Sequence, residues 1–393
     1  MYNKWMSDCK QLDPKDKKKF ETRSSFPGAE GNPFDKILRA LQKINQVPTI
    51  LFMLLLFLFG GMFTLFFVKN WFILMIFALG DALLIALLPG FKISFGPLKS
   101  QVFLLFILRA FFINLPFPIN LVFQLIGTIL VIYGFLIEPS KIKINTIHHH
   151  FPNISSGLKF LHLSDIHLEN IGVREYKLLT IVEERKPEFI LYTGDFLNLS
   201  NIRNQKSIEK VIEFFNKLHA LSPIYYVSGS PAVDVEDTMK IIEKNLEPKR
   251  LKNSSELIRH NNNEINLIGI TCTHQPHQDI TNLPALVQNN SLNILLYHSP
   301  DLVYELKPEH QVNLMLSGHT HGGQVRFPIH GAIFTGSLYG RKLQQGLYRI
   351  YDTLLYISRG IGLEGMGAPR VRFLCSPEII EWIINDKNFQ EEK

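Results

Sequence analysis

Six residues able to ligate a metal ion stand behind short apolar runs in the C-terminal half of this 393-residue chain. "LSDIHL" supplies Asp165 and His167, "YTGDFLN" supplies Asp195, "LLYHSPD" supplies His298, and "LSGHTHGGQ" supplies His319 and His321. In an extended chain, residues i and i+2 point the same way, so Asp-x-His and His-x-His can each aim two side chains into one cleft. Singly, each fragment says little: a His-x-His is commonly surface and a Gly-Asp commonly a turn. Together they offer two carboxylates and four imidazoles, a donor set for two ions. Mixed His/Asp ligation suits Mn, Fe, Zn or Co rather than Ca.

Strands must carry these residues, and the pattern supplies them. From residue 158 onward β-rich runs ("LKFLHLS", "FILYTG", "IYYVSG") alternate with amphipathic stretches ("VREYKLLTIVEERK", "IEKVIEFFNKLHAL"). That alternation argues for βαβ units. Later runs ("INLIGIT", "LNILLY", "NLMLSG", "LLYIS") are strand-dense with fewer helices. The expected fold is α/β, two mixed sheets face to face with helices outside.

The rest of the chain divides by composition. Residues 1–46 are polar and Lys-rich and read as a basic disordered tail. Residues 47–138 are nearly all apolar and read as an all-α transmembrane domain of about four helices, near 48–68, 71–90, from 102, and 120–137. Three spans, with one long kinked segment, are the rival reading. Residues 139–157 read as a linker, 158–385 as the catalytic domain and 386–393 as a polar tail. Lys and Arg gather in the tail, in the 91–100 loop and after the fourth span, which places the N-terminus inside; four spans then place the catalytic domain inside as well. Asp81 and Arg109, within the spans, read as an ion pair docking two helices. No signal peptide is indicated. Cys9, Cys272 and Cys375 suggest neither a disulfide framework nor a zinc knuckle, and fit a reducing compartment. The isolated tract His148–His150 is weak evidence for a metal site. The net charge of +6 lies mostly beside the membrane, where anionic lipid is the nearer partner; nucleic-acid binding is not expected.

The order Asp-x-His, Gly-Asp, His, Gly-His-x-His resembles that of the calcineurin-like metallophosphoesterases. "GHTHGGQ" and "SRGIGLEGMGAPRVRFLCSPEI" look like the bacterial YkuE/YaeI-like branch, and the resemblance covers about 158–385. It implies a four-layer αββα sandwich. It implies that Asp165, His167 and His321 hold one ion, that His298 and His319 hold the other, and that Asp195 bridges. Two divalent ions, with a hydroxide between them, would then cleave a phosphodiester or pyrophosphate bond. Tethering at a bilayer suggests a lipid-linked substrate and an integral protein of a bacterial cell membrane, with the catalytic domain cytoplasmic.

One loop departs from that pattern. Where the family carries Gly-Asn-His-Asp/Glu, with a ligating Asn and a His that assists the leaving group, this chain reads "VSGSPAVD". Ser230 is a weaker metal donor, and Pro231 can neither ligate nor transfer a proton. A general acid is worth about 10²–10⁴ in rate. His274 is the expected substitute, ahead of His277 and Asp279, with Asp234 a further group that can reach back. Arg359 is expected to hold a substrate phosphate or, equally, to form an internal salt bridge, and Arg370 and Arg372 to lie on the surface. The alternative function is a catalytically weakened metal-binding sensor or scaffold. A channel or transporter is disfavoured, because Asp81 and Arg109 trace no ion path.

Overall fold

The computed structural model describes residues 9–385 except 21, 22, 28, 30, 66, 153, 155, 156 and 262; the expected polar tail at 386–393 lies outside them. Among the described residues fifteen strands, numbered in chain order, build two large sheets and a short ribbon. The first sheet holds β2 (Lys143–His149), β3 (Leu158–Leu163), β4 (Phe189–Tyr192), β5 (Ile224–Tyr226), β6 (Lys249–Arg250) and β15 (Glu378–Ile384), in the order β2-β15-β3-β4-β5-β6. The second holds β1 (Lys10–Gln11), β7 (Ser254–His260), β8 (Asn263–Gly269), β9 (Leu292–Leu296), β10 (Leu314–Ser317), β13 (Gly346–Ile350) and β14 (Thr353–Ile357), in the order β1-β13-β14-β10-β9-β8-β7. β11 (Arg326–Phe327) and β12 (Gly331–Ala332) form a separate ribbon. Both large sheets are mixed. β3 through β6 run parallel while β15 runs antiparallel to β3; β8, β9, β10 and β14 are parallel, with β7 and β13 antiparallel at their flanks.

Alternation along the strands makes the layers. On β3, Phe160 faces the second sheet and joins Trp382, Leu296 and Leu316 in the inner core. Its neighbours Leu161 and Leu163 face outward, against Leu178, Val211 and Met239 of the helices Val173–Arg185, Gln205–Leu221 and Glu236–Glu243. The outer face of the second sheet is covered by short helical turns rather than long helices, with Leu283, Leu302 and Val303 packed on Leu295 and Met315.

Two expectations change here. The segment expected as a disordered tail is folded over its described part. β1 adds in parallel to β13, helix Asp16–Phe20 follows, and helix Pro33–Lys43 packs its backbone on Gly367. Its polar composition hides this because its partners lie more than 300 residues away in sequence. The expected linker likewise contributes β2, paired in parallel with β15 over seven residues.

The apolar segment forms four helices: Thr49–Phe63, Val68–Leu87, Leu98–Ala110 and Phe117–Ile132. Among the described residues two helical stretches, Val68–Leu87 and Phe117–Ser140, are long and apolar enough to cross a membrane; a third span arises if the pair Pro33–Gln46 and Thr49–Phe63, bent by 115°, counts as one. At about 1.5 Å per residue, 15 and 13 residues fall short of a bilayer core. Asp81 and Arg109 do form a buried bidentate pair, 2.6 and 2.7 Å, and the guanidinium also reaches the Gln124 carbonyl and Thr128 Oγ1. Every direction of its charge is answered by side chains or backbone, as a helix-docking contact requires. The loop between the second and third helices and the start of the third meet the catalytic domain, where Val173 N–H donates to the Lys92 carbonyl and Arg370 N–H to Gln101 Oε1.

Candidate metal centre

All six candidate ligands sit just beyond the C-terminal ends of parallel strands, where the edges of both sheets meet. Asp165 and His167 follow β3, Asp195 follows β4, His298 follows β9, and His319 and His321 follow β10. The residues beside them are not extended, contrary to the simple i, i+2 argument. Asp165, His167, Asp195, His319 and His321 all take positive φ, between 44° and 69°. Such conformations cost about 1–3 kcal/mol each and persist where surroundings hold them. Here Asp165 N–H bonds to the Gly194 carbonyl and His167 N–H to that of Asp195, at 2.9 and 3.1 Å. The loops approach so closely that a Cβ on Gly318 would collide with Ser164 Oγ, and one on Gly229 with the Asp195 carboxylate.

The ligand atoms form two groups, each within 4.8 Å of one another: Asp165, His167 and His321, and Asp195, His298 and His319. In the first, His167 Nε2 faces His321 Nε2 at 3.0 Å, and Asp165 Oδ1 lies 3.6 Å from the latter. In the second, His298 Nε2 lies 3.4 Å from Asp195 Oδ2. The same Asp195 oxygen is 3.5 Å from His167 Nε2, so one carboxylate faces both groups, as a bridging ligand must.

Outer contacts set the imidazoles for metal. His167 Nδ1 lies 3.0 Å from both Glu364 Oε2 and the Leu197 carbonyl, and His298 Nδ1 is 2.6 Å from the Thr193 carbonyl. Those acceptors take the Nδ1 protons and leave the Nε2 lone pairs facing inward. His319 Nε2 is buried without a hydrogen-bond partner. Burial opposes charge on His298 and His167, yet the surrounding carboxylates lift them to about 10 and about 9. Burial and neighbouring cations push His319 and His321 well below the usual range. A buried centre whose carboxylates favour positive charge at two inward-facing imidazoles fits divalent cations, which would take the place of those protons. Asp165, His167, His321, Asp195, His298 and His319 would hold them.

The altered loop stays in the site. Ser230 Oγ is 3.1 Å from both His298 Nε2 and His319 Nδ1, and Ser230 N–H donates to Asp195 Oδ1 at 2.7 Å. Pro231 is exposed. Asp234 does reach back, but to backbone: its carboxylate accepts from the N–H groups of Asp195, Phe196 and Gly229 at 2.7–3.0 Å. Burial, then the charge of Asp195, raises Asp234 to about 6.

Among the proposed substitutes, His274 alone reaches the centre, its ring 4.8 Å from that of His319. Burial lowers it to about 4. Asp279 supports its loop, accepting from Thr273 N and Oγ1 and from the Tyr297 hydroxyl, while His277 is exposed. Arg359 takes the salt-bridge alternative: it pairs with Glu378, which also accepts from its backbone N–H. Arg370 and Arg372 are buried, not on the surface. Arg372 donates to the carbonyls of Gly360 and Gly362 at 3.2 and 2.6 Å and approaches His321 Nδ1 at 3.4 Å; Arg370 binds Glu169, Asn198 and Ser200. A Gly-rich loop without side-chain contacts needs such donors for its carbonyls. His148 and His149 lie in β2, paired with Ile383 and Ile384.

Two contributors carried too little signal in the sequence. Glu364 lies in the Gly-rich stretch, and Gln324 brackets it with two hydrogen bonds. Phe26, from the supposed tail, is buried with its ring 5.2 Å from that of His274 and 5.1 Å from that of His319.

With this geometry established, similarity to known proteins acquires a physical basis. A family model for calcineurin-like phosphoesterases matches residues 158–323. The chain is 30% identical over 266 residues to the uncharacterized metallophosphoesterase YkoQ of Bacillus subtilis, a match covering 64% of this chain and 95% of that one. It is 28% identical over 254 residues to YkuE of the same organism, covering 63% and 84% of the two chains. It is also 28% identical over 242 residues to the phosphodiesterase YaeI of Escherichia coli, covering 58% and 83%.

Proposed function

We propose that this chain, which belongs to the calcineurin-like phosphoesterase family, is a membrane-anchored hydrolase that cleaves a phosphodiester or pyrophosphate bond, with a lipid-linked substrate as the preferred class. The observation that carries the reading is Ser230 Oγ, 3.1 Å from His298 and from His319, which keeps a polar donor at the second ligand group despite the loss of the family's Asn.

Two divalent ions, held by Asp165, His167 and His321 and by Asp195, His298 and His319, would supply Lewis acidity and lower the pKa of water to about 7. The chain's own residues do the rest. Asp195 joins the two ligand groups, and Asp234 holds the backbone of Asp195 and Gly229 in register. Hydrolysis would form one P–O bond from water and break another, and His274 is the group placed to give the leaving oxygen its proton. An anionic phosphoryl group beside His274 favours the imidazolium form that this requires. Anchoring draws support from the apolar helices, whose 91–97 loop reaches a cavity lined by Ile93, Phe95 and His167. Because β1 pairs with β13, the N-terminal segment and the catalytic domain share one side of the membrane in this reading, the cytoplasmic one, which two or four spans allow and three do not.

A weakened metal-binding sensor is the second reading. It is favoured by Phe26, whose ring covers His274 and His319. Detergent-solubilised protein with Mn²⁺, assayed on bis-p-nitrophenyl phosphate and on a lipid pyrophosphate, separates the two. Hydrolysis that disappears in Asp195→Asn supports the enzyme; no hydrolysis of either compound by the wild type supports the sensor.

A further inference from the structure

A second cavity, of about 200 Å³, opens where the apolar helix Phe117–Ser140 hands the chain to β2. Tyr133, Glu138, Lys141 and Lys143 form one wall, and Arg359, Leu374 and Ser376 the other; no candidate metal ligand lines it. Its two nearby acids are already engaged. Glu138 accepts from the Tyr133 hydroxyl and from Ser376 Oγ, and Glu378 is taken by Arg359. Lys141 and Lys143 are exposed, and neither forms an ion pair among the described residues. Tyr133 and Leu374, the latter 46% exposed, give the cavity an apolar side next to its cations.

An aromatic ring, an exposed leucine and clustered cations at the end of a membrane-length helix match an amphiphile with an anionic phosphate. We propose that this cavity binds the phosphate of an anionic lipid headgroup, with Lys141 and Lys143 as the charge donors and Tyr133 and Leu374 against the lipid backbone. It is separate from the metal centre but adjoins it through the chain: Arg359 precedes Gly360, which packs against the Asp165 side chain at a φ of 68°.

The test uses full-length protein in an uncharged detergent. Binding of dihexanoyl phosphatidic acid, dihexanoyl phosphatidylcholine and inorganic phosphate is measured by calorimetry for the wild type, Lys141→Ala/Lys143→Ala and Lys141→Arg/Lys143→Arg. Phosphatidic acid binds the wild type, weakens about 10-fold or more in the alanine variant and recovers in the arginine variant, while phosphatidylcholine does not bind. Lysine-dependent binding of inorganic phosphate with equal affinity keeps the phosphate site and makes free phosphate its source. Phosphatidic acid binding that is equal in the wild type and the alanine variant, or no saturable binding of either anionic probe, overturns the proposal. Phosphate held at the metal centre persists in the alanine variant and is separated by that comparison.

Discussion

The two ligand groups of the metal centre are built to different standards. The first, Asp165, His167 and His321, is backed by Glu364 and the Leu197 carbonyl behind His167 and by Arg372 behind His321. The second, Asp195, His298 and His319, has His298 fixed by the Thr193 carbonyl, but its fourth donor is only a hydroxyl, and His319 Nε2 has no partner. The loss of Asn and His from the loop therefore falls on one side of the centre. A site that decayed by drift has no reason to keep Ser230 aimed between two imidazoles while Asp234 pins the surrounding backbone.

The strongest way to sharpen this contrast is to restore the missing pair. Ser230→Asn/Pro231→His is expected to raise kcat on a diester by about 10²-fold, within the range of a recovered general acid. No gain, with activity lost in His274→Ala, would move the acid role entirely to His274. Next come the supports of each group. Glu364→Gln should weaken metal affinity by about 10–100-fold at the first group alone, and Ser230→Ala should do so at the second alone. Titration of the two ions by calorimetry reads this directly; equal weakening of both ions in either variant breaks the comparison. Phe26→Ala should raise kcat/KM for bis-p-nitrophenyl phosphate several-fold, on the order of 1 kcal/mol, because its ring occupies ground beside His274 and His319. A fall would mean that Phe26 positions these rings rather than covering them.

A last effect concerns stability behind the second group. His162 Nε2 lies 3.0 Å from Thr193 Oγ1, and burial lowers its pKa to about 3. The unfolded chain binds that proton near pH 6.5, so the contribution is present above 6.5 and is lost as pH falls toward 3. Between pH 7.5 and 5.5 the wild type should lose about 1.4 kcal/mol more than His162→Gln. Thermal unfolding at the two pH values measures the difference, and parallel curves would contradict it.

The six ligands were legible in the sequence because each follows a strand whose apolar run announces it. What surrounds them was not. Glu364, Arg370 and Arg372 sit in a Gly-rich loop without periodicity; Arg372 bonds to the loop's own carbonyls, while Glu364 and Arg370 meet His167 and Glu169, far away in sequence. Phe26 and β1 lie in a segment whose composition signals disorder, since their packing partners are remote in sequence. The count of membrane-length helices differs from four because apolarity marks a region without marking where each helix stops. Thr49–Phe63 closes beside Gly60 and Thr64, whose hydroxyl bonds back to the Gly60 carbonyl.

The central claim, that the second ligand group still binds metal with Ser230 in place of the usual amide, is tested most directly by counting metal. Full-length protein in detergent, equilibrated with Mn²⁺ and freed of excess, should carry two ions per chain in the wild type and close to one in Ser230→Ala. A wild-type chain that holds a single ion, unchanged by Ser230→Ala, would contradict it.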